Sequence, residues 1–157
     1  ITYLKVGSIY RYLAVVMDVF TRAVRGWHLS RSLDRHLTLT VLRRALAQRC
    51  PSIHHSDQGL QYACADYTDL LKHHHVQISM AAVGKPEENG FAERLMRTIK
   101  EEEVDLSEYA DFHDAYCRIG QFLDAVYTRK RIHSALGYLS PAEFETHWHT
   151  QQQWAVS

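Results

Sequence analysis

Two carboxylates carry the first chemical signal in this chain. Asp57 follows a short apolar start in "IHHSDQGLQY" and stands just ahead of Gly59. Glu93 lies with thirty-five residues between it and Asp57, in "GKPEENGFAERLMRTIKEE", about one turn inside a helix that Asn89 can cap. The strand, helix and strand between them can return that helix start to the strand end at Asp57. Carboxylates placed together repel unless a hard cation lies between them, and Mg²⁺ takes one or two carboxylates with water and phosphate oxygens. Arg97 is at i+4 and Lys100 at i+7 from Glu93, so both cations share its face of the helix. That face suits a phosphate backbone. Ordinary i,i+4 pairing on a solvated helix, or a charge capping an element end, is the plainer alternative.

Other chemistry-bearing residues have less support. His54 and His55, and the run His73 to His75, offer imidazoles, but adjacent histidines do not converge on one zinc ion and no Cys or carboxylate partner has suitable spacing. His147 and His149 are two apart on a helix and face away from each other. Cys64 has no neighbour that would activate a thiol, and neither a Gly-rich phosphate loop nor a G-x-S-x-G nucleophile elbow occurs.

The elements that position Asp57 and Glu93 follow from hydrophobic period and punctuation. Residues Ile1 to Lys5, Tyr12 to Val19 and Ala23 to Leu29 are rich in Val, Ile, Tyr and Trp and read as an antiparallel meander broken at Gly7-Ser8. Asp34 can cap a helix whose apolar positions Leu37, Val41, Ala45 and Leu46 run to the stop at Cys50-Pro51. A short strand at Ile53 to His55, a helix from Ala65 to His74 with Leu70 and Leu71 inward, and a strand at Gln77 to Met80 follow. Beyond the loop "AVGKPEENG", Phe91, Leu95, Ile99 and Met96 form the stripe of the Glu93 helix. Phe112 to Val126 is one long amphipathic helix, and "SPAE" at Ser140 to Glu143 is a capping box with Pro141 at the first helical position. Strands alternating with helices give a mixed α/β sheet.

With 157 residues, 46% hydrophobic and 23% charged, the chain has the size of one globular domain. Its longest apolar run, Tyr12 to Met17, is too short to span a membrane, and "ITYLKVGS" lacks a signal-peptide layout. Three widely spaced cysteines, Cys50, Cys64 and Cys117, argue against a disulfide framework and fit a reducing cytoplasm. The net charge of zero hides a division. Residues 1 to 56 carry nine Lys and Arg against two acids, residues 57 to 126 six against fourteen, and the rest three against two. A polyanionic partner is allowed by local charge and not demanded by the total.

"HSDQGLQY" (His55 to Tyr62), "GKPEENGFAERLMRTIKEE" (Gly84 to Glu102) and "RIHSALGYLSPAEF" (Arg131 to Phe144), in this order and spacing, resemble the integrase core of DDE transposases from bacterial insertion sequences. The likeness is to the insertion-sequence-three group, relatives of retroviral integrase, and it covers the chain from "ITYL" through "VVMDVFTRAVRGWHLS" to about Phe144. The resemblance implies an RNase H-like mixed sheet of about five strands flanked by helices, with a C-terminal helical extension. Residues 1–150 would form the core and 151–157 a frayed tail. It implies DNA cleavage and strand transfer at a three-carboxylate site holding two Mg²⁺ (or Mn²⁺) ions, one activating the attacking oxygen and the other stabilising the leaving oxygen.

By motif, Asp57 matches the second catalytic aspartate and Glu93 the glutamate, both as metal ligands. Lys100 matches a basic residue facing transposon-end DNA. Arg97, Arg94 (where a serine is commoner) and Arg131 are further DNA contacts under this reading, with His133 and Tyr138 weaker candidates for DNA or structural contact. Thr128 also departs from the pattern. The pattern places the first aspartate immediately before the residue equivalent to Ile1, so the chain as given is expected to lack one ligand and to be inactive; Asp18 corresponds to an aspartate outside the catalytic three. A remnant that only binds DNA or assembles with a partner is the alternative. The parent protein would act as a homo-oligomer on DNA in the bacterial cytoplasm, associated with the nucleoid.

Overall fold

The computed structural model describes residues 1–82 and 85–154. Strands β1 (Thr2–Val6), β2 (Ile9–Met17) and β3 (Val24–Ser30) form an antiparallel sheet in that order, turning at Gly7 with φ 61°. Helix α1 (Arg35–Gln48) follows, held at its start by Asp34, whose carboxylate accepts from the His36 and Leu37 N–H groups at 2.9 and 3.3 Å. Such a cap contributes about 1 kcal/mol. Strand β4 (Ile53–Ser56) leads through a one-turn helix α2 (Leu60–Ala63) and helix α3 (Ala65–His73) to β5 (Gln77–Met80), which pairs parallel with β4. Helix α4 (Gly90–Ile99) continues as a π-helical stretch at Lys100–Val104, and α5 (Phe112–Gln121) likewise at Phe122–Tyr127. Helix α6 (Pro141–Trp154) closes the described chain.

Alternation along the strands sets the layers. Leu4, Leu13 and Leu29 face α4 and α5, where Leu95, Ile99, Ala115, Ile119 and Leu123 complete the main core. Ala14, on the other face, packs against Leu37 and Val41 of α1. A satellite core joins Leu39, Leu42 and Leu46 of α1 to Tyr67, Leu71 and Val76. Gly26 lets α1 approach β3: a Cβ there would lie 2.6 Å from the Val41 carbonyl oxygen.

Several local expectations change. The five strands form two hydrogen-bonded sheets rather than one continuous ladder. Thr2 pairs with Leu13, so β2 runs on from Ala14 to Met17 past the start of β1. A cleft of about 480 Å³ opens there, lined by Ile1, Val15, Val16, Met17 and by Ile53 to Asp57. Asn89 does not cap α4 with its side chain; a 3-10 turn, Pro86–Asn89, feeds the helix instead. Phe91, expected in the buried stripe, is 49% exposed, its ring covered by the Arg22 guanidinium at 4.0 Å. The final helix continues to Trp154, and the rest of the tail, residues 155–157, lies outside the described residues. The Ser140 capping box forms as expected, with the Ser140 N–H and hydroxyl both donating to Glu143 at 2.8 Å.

Candidate active site

Strand β4 buries His54 and Ser56 and releases the chain at Asp57, where the direction changes toward α2. One Asp57 carboxylate oxygen accepts the Gly59 N–H at 2.8 Å, an Asx-type turn that fixes the side chain. A Cβ at position 59 would lie 2.9 Å from the same oxygen, so a larger residue there would shift the Asp57 carboxylate. Asp57 also acts on its surroundings. Burial pushes the Tyr62 hydroxyl well above its usual range, and the Asp57 charge pushes it further. Burial lowers the Ile1 amino group while Asp57 pulls it the other way, and that amino group donates to the Tyr62 hydroxyl oxygen at 3.3 Å.

Helix α4 supplies the opposite wall. Asp57, Glu93, Arg97 and Lys100 all line one open cleft of about 530 Å³, together with Ile1, Thr2, Asn89, Met96, Glu101 and Asp105. The i,i+4 pairing that would make this face an ordinary solvated one does not form: among the described residues Glu93, Arg97 and Lys100 make no ion pair or side-chain hydrogen bond. Two carboxylates on an open cleft fit a hard divalent cation that completes its shell with water and phosphate oxygens. Among the described residues no group of three His, Cys, Asp or Glu side chains gathers to hold a metal.

The remaining candidates are placed elsewhere. Arg131 holds Glu102 in a two-pronged ion pair with N–O distances of 2.7 to 3.0 Å, and that partner raises its pKa. His133 packs edge-on against Tyr127 at 5.3 Å, and burial, with Arg131 and Arg22 nearby, lowers its pKa. Arg94 is exposed and does not line the cleft; Tyr138 occupies a left-handed turn at φ 62°. Asp18 receives the Phe20 and Thr21 N–H groups and pairs with Arg25 at 3.2 Å. Burial opposes ionisation there, but the Thr21 N–H, Arg25 and the Phe20 N–H outweigh it and lower its pKa, so Asp18 shapes the β2–β3 turn.

His54 is buried against Tyr67, its Nε2 3.0 Å from the hydroxyl, and burial, helped by neighbouring His55, pushes its pKa down to about 4. His55 bonds Ser79 at 2.9 Å. His73 to His75, His147 and His149 are exposed, and Cys64 donates to the Gln61 carbonyl oxygen. Sequence reasoning missed Glu101 and Asp105 as cleft residues.

No helix among the described residues is long and apolar enough to cross a membrane. Residues 1–86 match the integrase core domain family model, and residues 74–141 match a second model of the same description. The chain is 34% identical over 137 residues to the transposase for insertion sequence element IS904 of Lactococcus lactis, covering 85% of this chain and 54% of that protein. It is 35% identical over 148 residues to the transposase InsF for insertion sequence IS3A of Escherichia coli, covering 92% and 51%. The chain thus spans about half the length of these relatives. Among solved structures, the HTLV-2 integrase catalytic core domain in complex with magnesium superposes with a TM-score of 0.70 at 16% identity, covering 91% of this chain and 90% of that one. The catalytic core domain of BIV integrase superposes with a TM-score of 0.65 at 18% identity, covering 96% and 95%.

Proposed function

The chain belongs to the integrase core domain family, with an RNase H-like fold, and from that membership we propose that it is the catalytic core of an insertion-sequence transposase that cuts and joins DNA. The observation that carries this reading is that Asp57, Glu93, Arg97 and Lys100 line one open cleft, with Glu93, Arg97 and Lys100 unpaired among the described residues. Asp57 and Glu93 would hold the divalent metal, Mg²⁺ or Mn²⁺, which when bound supplies Lewis-acid stabilisation of charge on the reacting phosphate oxygens. Arg97 and Lys100 would hold the DNA backbone across the cleft as charge-assisted donors, aligning the scissile phosphodiester with the carboxylates. Tyr62, kept protonated by burial, donates its backbone N–H to the Gly59 carbonyl oxygen at 2.9 Å beside the turn that presents Asp57.

A third carboxylate is part of the proposal. Ile1 lines the same cleft as Asp57 and Glu93, and β2, paired with β3 from Ala14 to Met17, offers its other edge there to a strand continuing before Ile1. A residue joined to Ile1 would then lie beside the cleft, and an aspartate there would complete the set. A core without that third carboxylate would bind DNA without joining it efficiently. Residues 1–150 are the proposed core. The parent protein would act on DNA in the bacterial cytoplasm, and joining two ends calls for more than one copy.

The test is Mn²⁺-dependent cleavage and joining of a labelled transposon-end duplex. The given chain is compared with one extended by the first strand and an aspartate directly before Ile1. Activity in the extended chain alone, abolished by Asp57→Asn or Glu93→Gln, is expected. Normal joining by the unextended chain would refute the assignment of the third ligand, and activity that survives Glu93→Gln would refute the site.

A further inference from the structure

We propose that Arg11, Arg31 and Arg44, interleaved with Phe112 and Tyr116, form a second DNA-backbone track along the β3 edge of the three-stranded sheet, where α1 and α5 approach each other, apart from the cleft. The inference rests on the reading of the chain as a DNA-acting core. The β2–β3 ladder pairs Tyr12 with Ser30, so its next step sets Arg11 beside Arg31. Like charges on neighbouring strands are destabilising unless something offsets them. Both guanidinium groups lie over one ring, that of Phe112, at 4.6 Å for Arg31 and 5.8 Å for Arg11. The Phe112 ring is 6.3 Å from that of Tyr116, and Arg44 donates to the Tyr116 hydroxyl at 3.1 Å and to the Trp27 carbonyl oxygen at 2.7 Å.

Among the described residues none of these three arginines pairs with a carboxylate, whereas Arg25, Arg35, Arg118 and Arg131 each do. The Arg11 Nε is buried without a hydrogen-bond partner. The neighbouring acids are occupied as caps: Asp111 accepts the Asp114 N–H at 2.9 Å, and Asp34 accepts the first N–H groups of α1. Guanidinium planes held on aromatic faces are already ordered, so a phosphodiester meets donors that lose little further freedom. Successive cations separated by rings match the pattern by which a nucleic-acid backbone is tracked. None of the five residues lines the Asp57–Glu93 cleft.

The test measures binding of this chain to a mixed-sequence duplex by fluorescence anisotropy over a salt series. The variants are the Arg11→Gln, Arg31→Gln double substitution, its Lys,Lys counterpart, and Lys100→Ala. Losing two phosphate contacts lowers the slope of log K against log salt by about 1.8. The Lys,Lys form should keep the slope, and thermal melting of the Gln,Gln form should equal or exceed that of the wild type because a repulsive pair is gone. An unchanged slope in the Gln,Gln form, with the Lys100→Ala slope reduced, would overturn this track and leave the cleft reading standing. No salt-sensitive binding by the wild type would overturn both. Loss of self-association with an unchanged DNA slope would assign the face to a second copy of the chain. Calorimetric binding of inorganic phosphate that needs Arg11 and Arg31, with DNA binding unaffected, would assign it to a free anion; either result overturns the proposal.

Discussion

Acid should unfold this protein through His54 before its carboxylates titrate. The imidazole sits on the buried face of β4, bonded to the Tyr67 hydroxyl, and burial holds its pKa at about 4 against an ordinary 6.5. Below pH 6.5 the unfolded chain takes up a proton at this position that the folded chain refuses. The unfolded state then binds more protons, and stability falls as pH falls. The contribution is fully present above 6.5 and exhausted below about 4, a span of about 3 kcal/mol at ~1.4 kcal/mol per pH unit.

Between pH 7.5 and 4.5 the loss from His54 alone is about 2.5 kcal/mol, or roughly 5 to 10 °C in Tm for a chain of this size. The assay is urea or thermal unfolding at several pH values, wild type against His54→Gln, whose amide can still bond Tyr67. His28 and His133 are also lowered by burial and slope the same way, so the difference between the two proteins isolates His54. Asp18, Asp34, Asp111 and Glu143, whose pKa values are lowered, lose their contributions only at more acid pH than their ordinary values. Because β4 leads directly to Asp57, DNA joining by the extended chain should fail over the same range. A wild-type stability that stays flat from pH 7.5 to 4.5, or an identical slope in His54→Gln, would refute the reasoning.

Gly26→Ala should cost about 3 kcal/mol, at the upper end for overpacking, since its Cβ would meet the Val41 carbonyl oxygen at 2.6 Å and the Ala45 nitrogen at 3.0 Å, both backbone; chemical denaturation measures it. Gly120→Ala meets the Trp27 ring at 2.6 Å, a side chain that can yield, and should cost nearer 2 kcal/mol by the same measurement. Ser140→Ala removes a capping-box hydroxyl and should cost about 1 kcal/mol, with faster amide exchange in the first turn of α6. Lys100→Ala should lower the salt slope of DNA binding by about 0.9 while leaving Tm unchanged, because Lys100 has no ion pair among the described residues to lose.

The positions of Asp57 and Glu93 were legible because chain topology alone brings them together: a strand ending at Ser56, a return through α3 and β5, and a helix beginning at Gly90. Asp34 and Ser140 were legible because caps are local chemistry. What spacing could not reveal was pairing. Glu93 and Arg97 have the same i,i+4 relation whether they join or part, and only the packed side chains show that they part while Arg131 takes Glu102. Spacing also could not reveal Glu101 and Asp105. An α-helical wheel carries Asp105 well off the Glu93 face, but the helix widens into π turns from Lys100 to Val104, each residue turning less, and the phase is reset toward the cleft. Phe91 was misplaced for a related reason: an apolar residue on the helical stripe was assigned to the core, yet its ring is spent on Arg22, which reaches it from a left-handed turn at φ 62°. A cation that holds such a backbone position to cover the first turn of the Glu93 helix joins the β2–β3 turn to the cleft wall. The site's geometry therefore depends on a turn that no spacing rule connects to it.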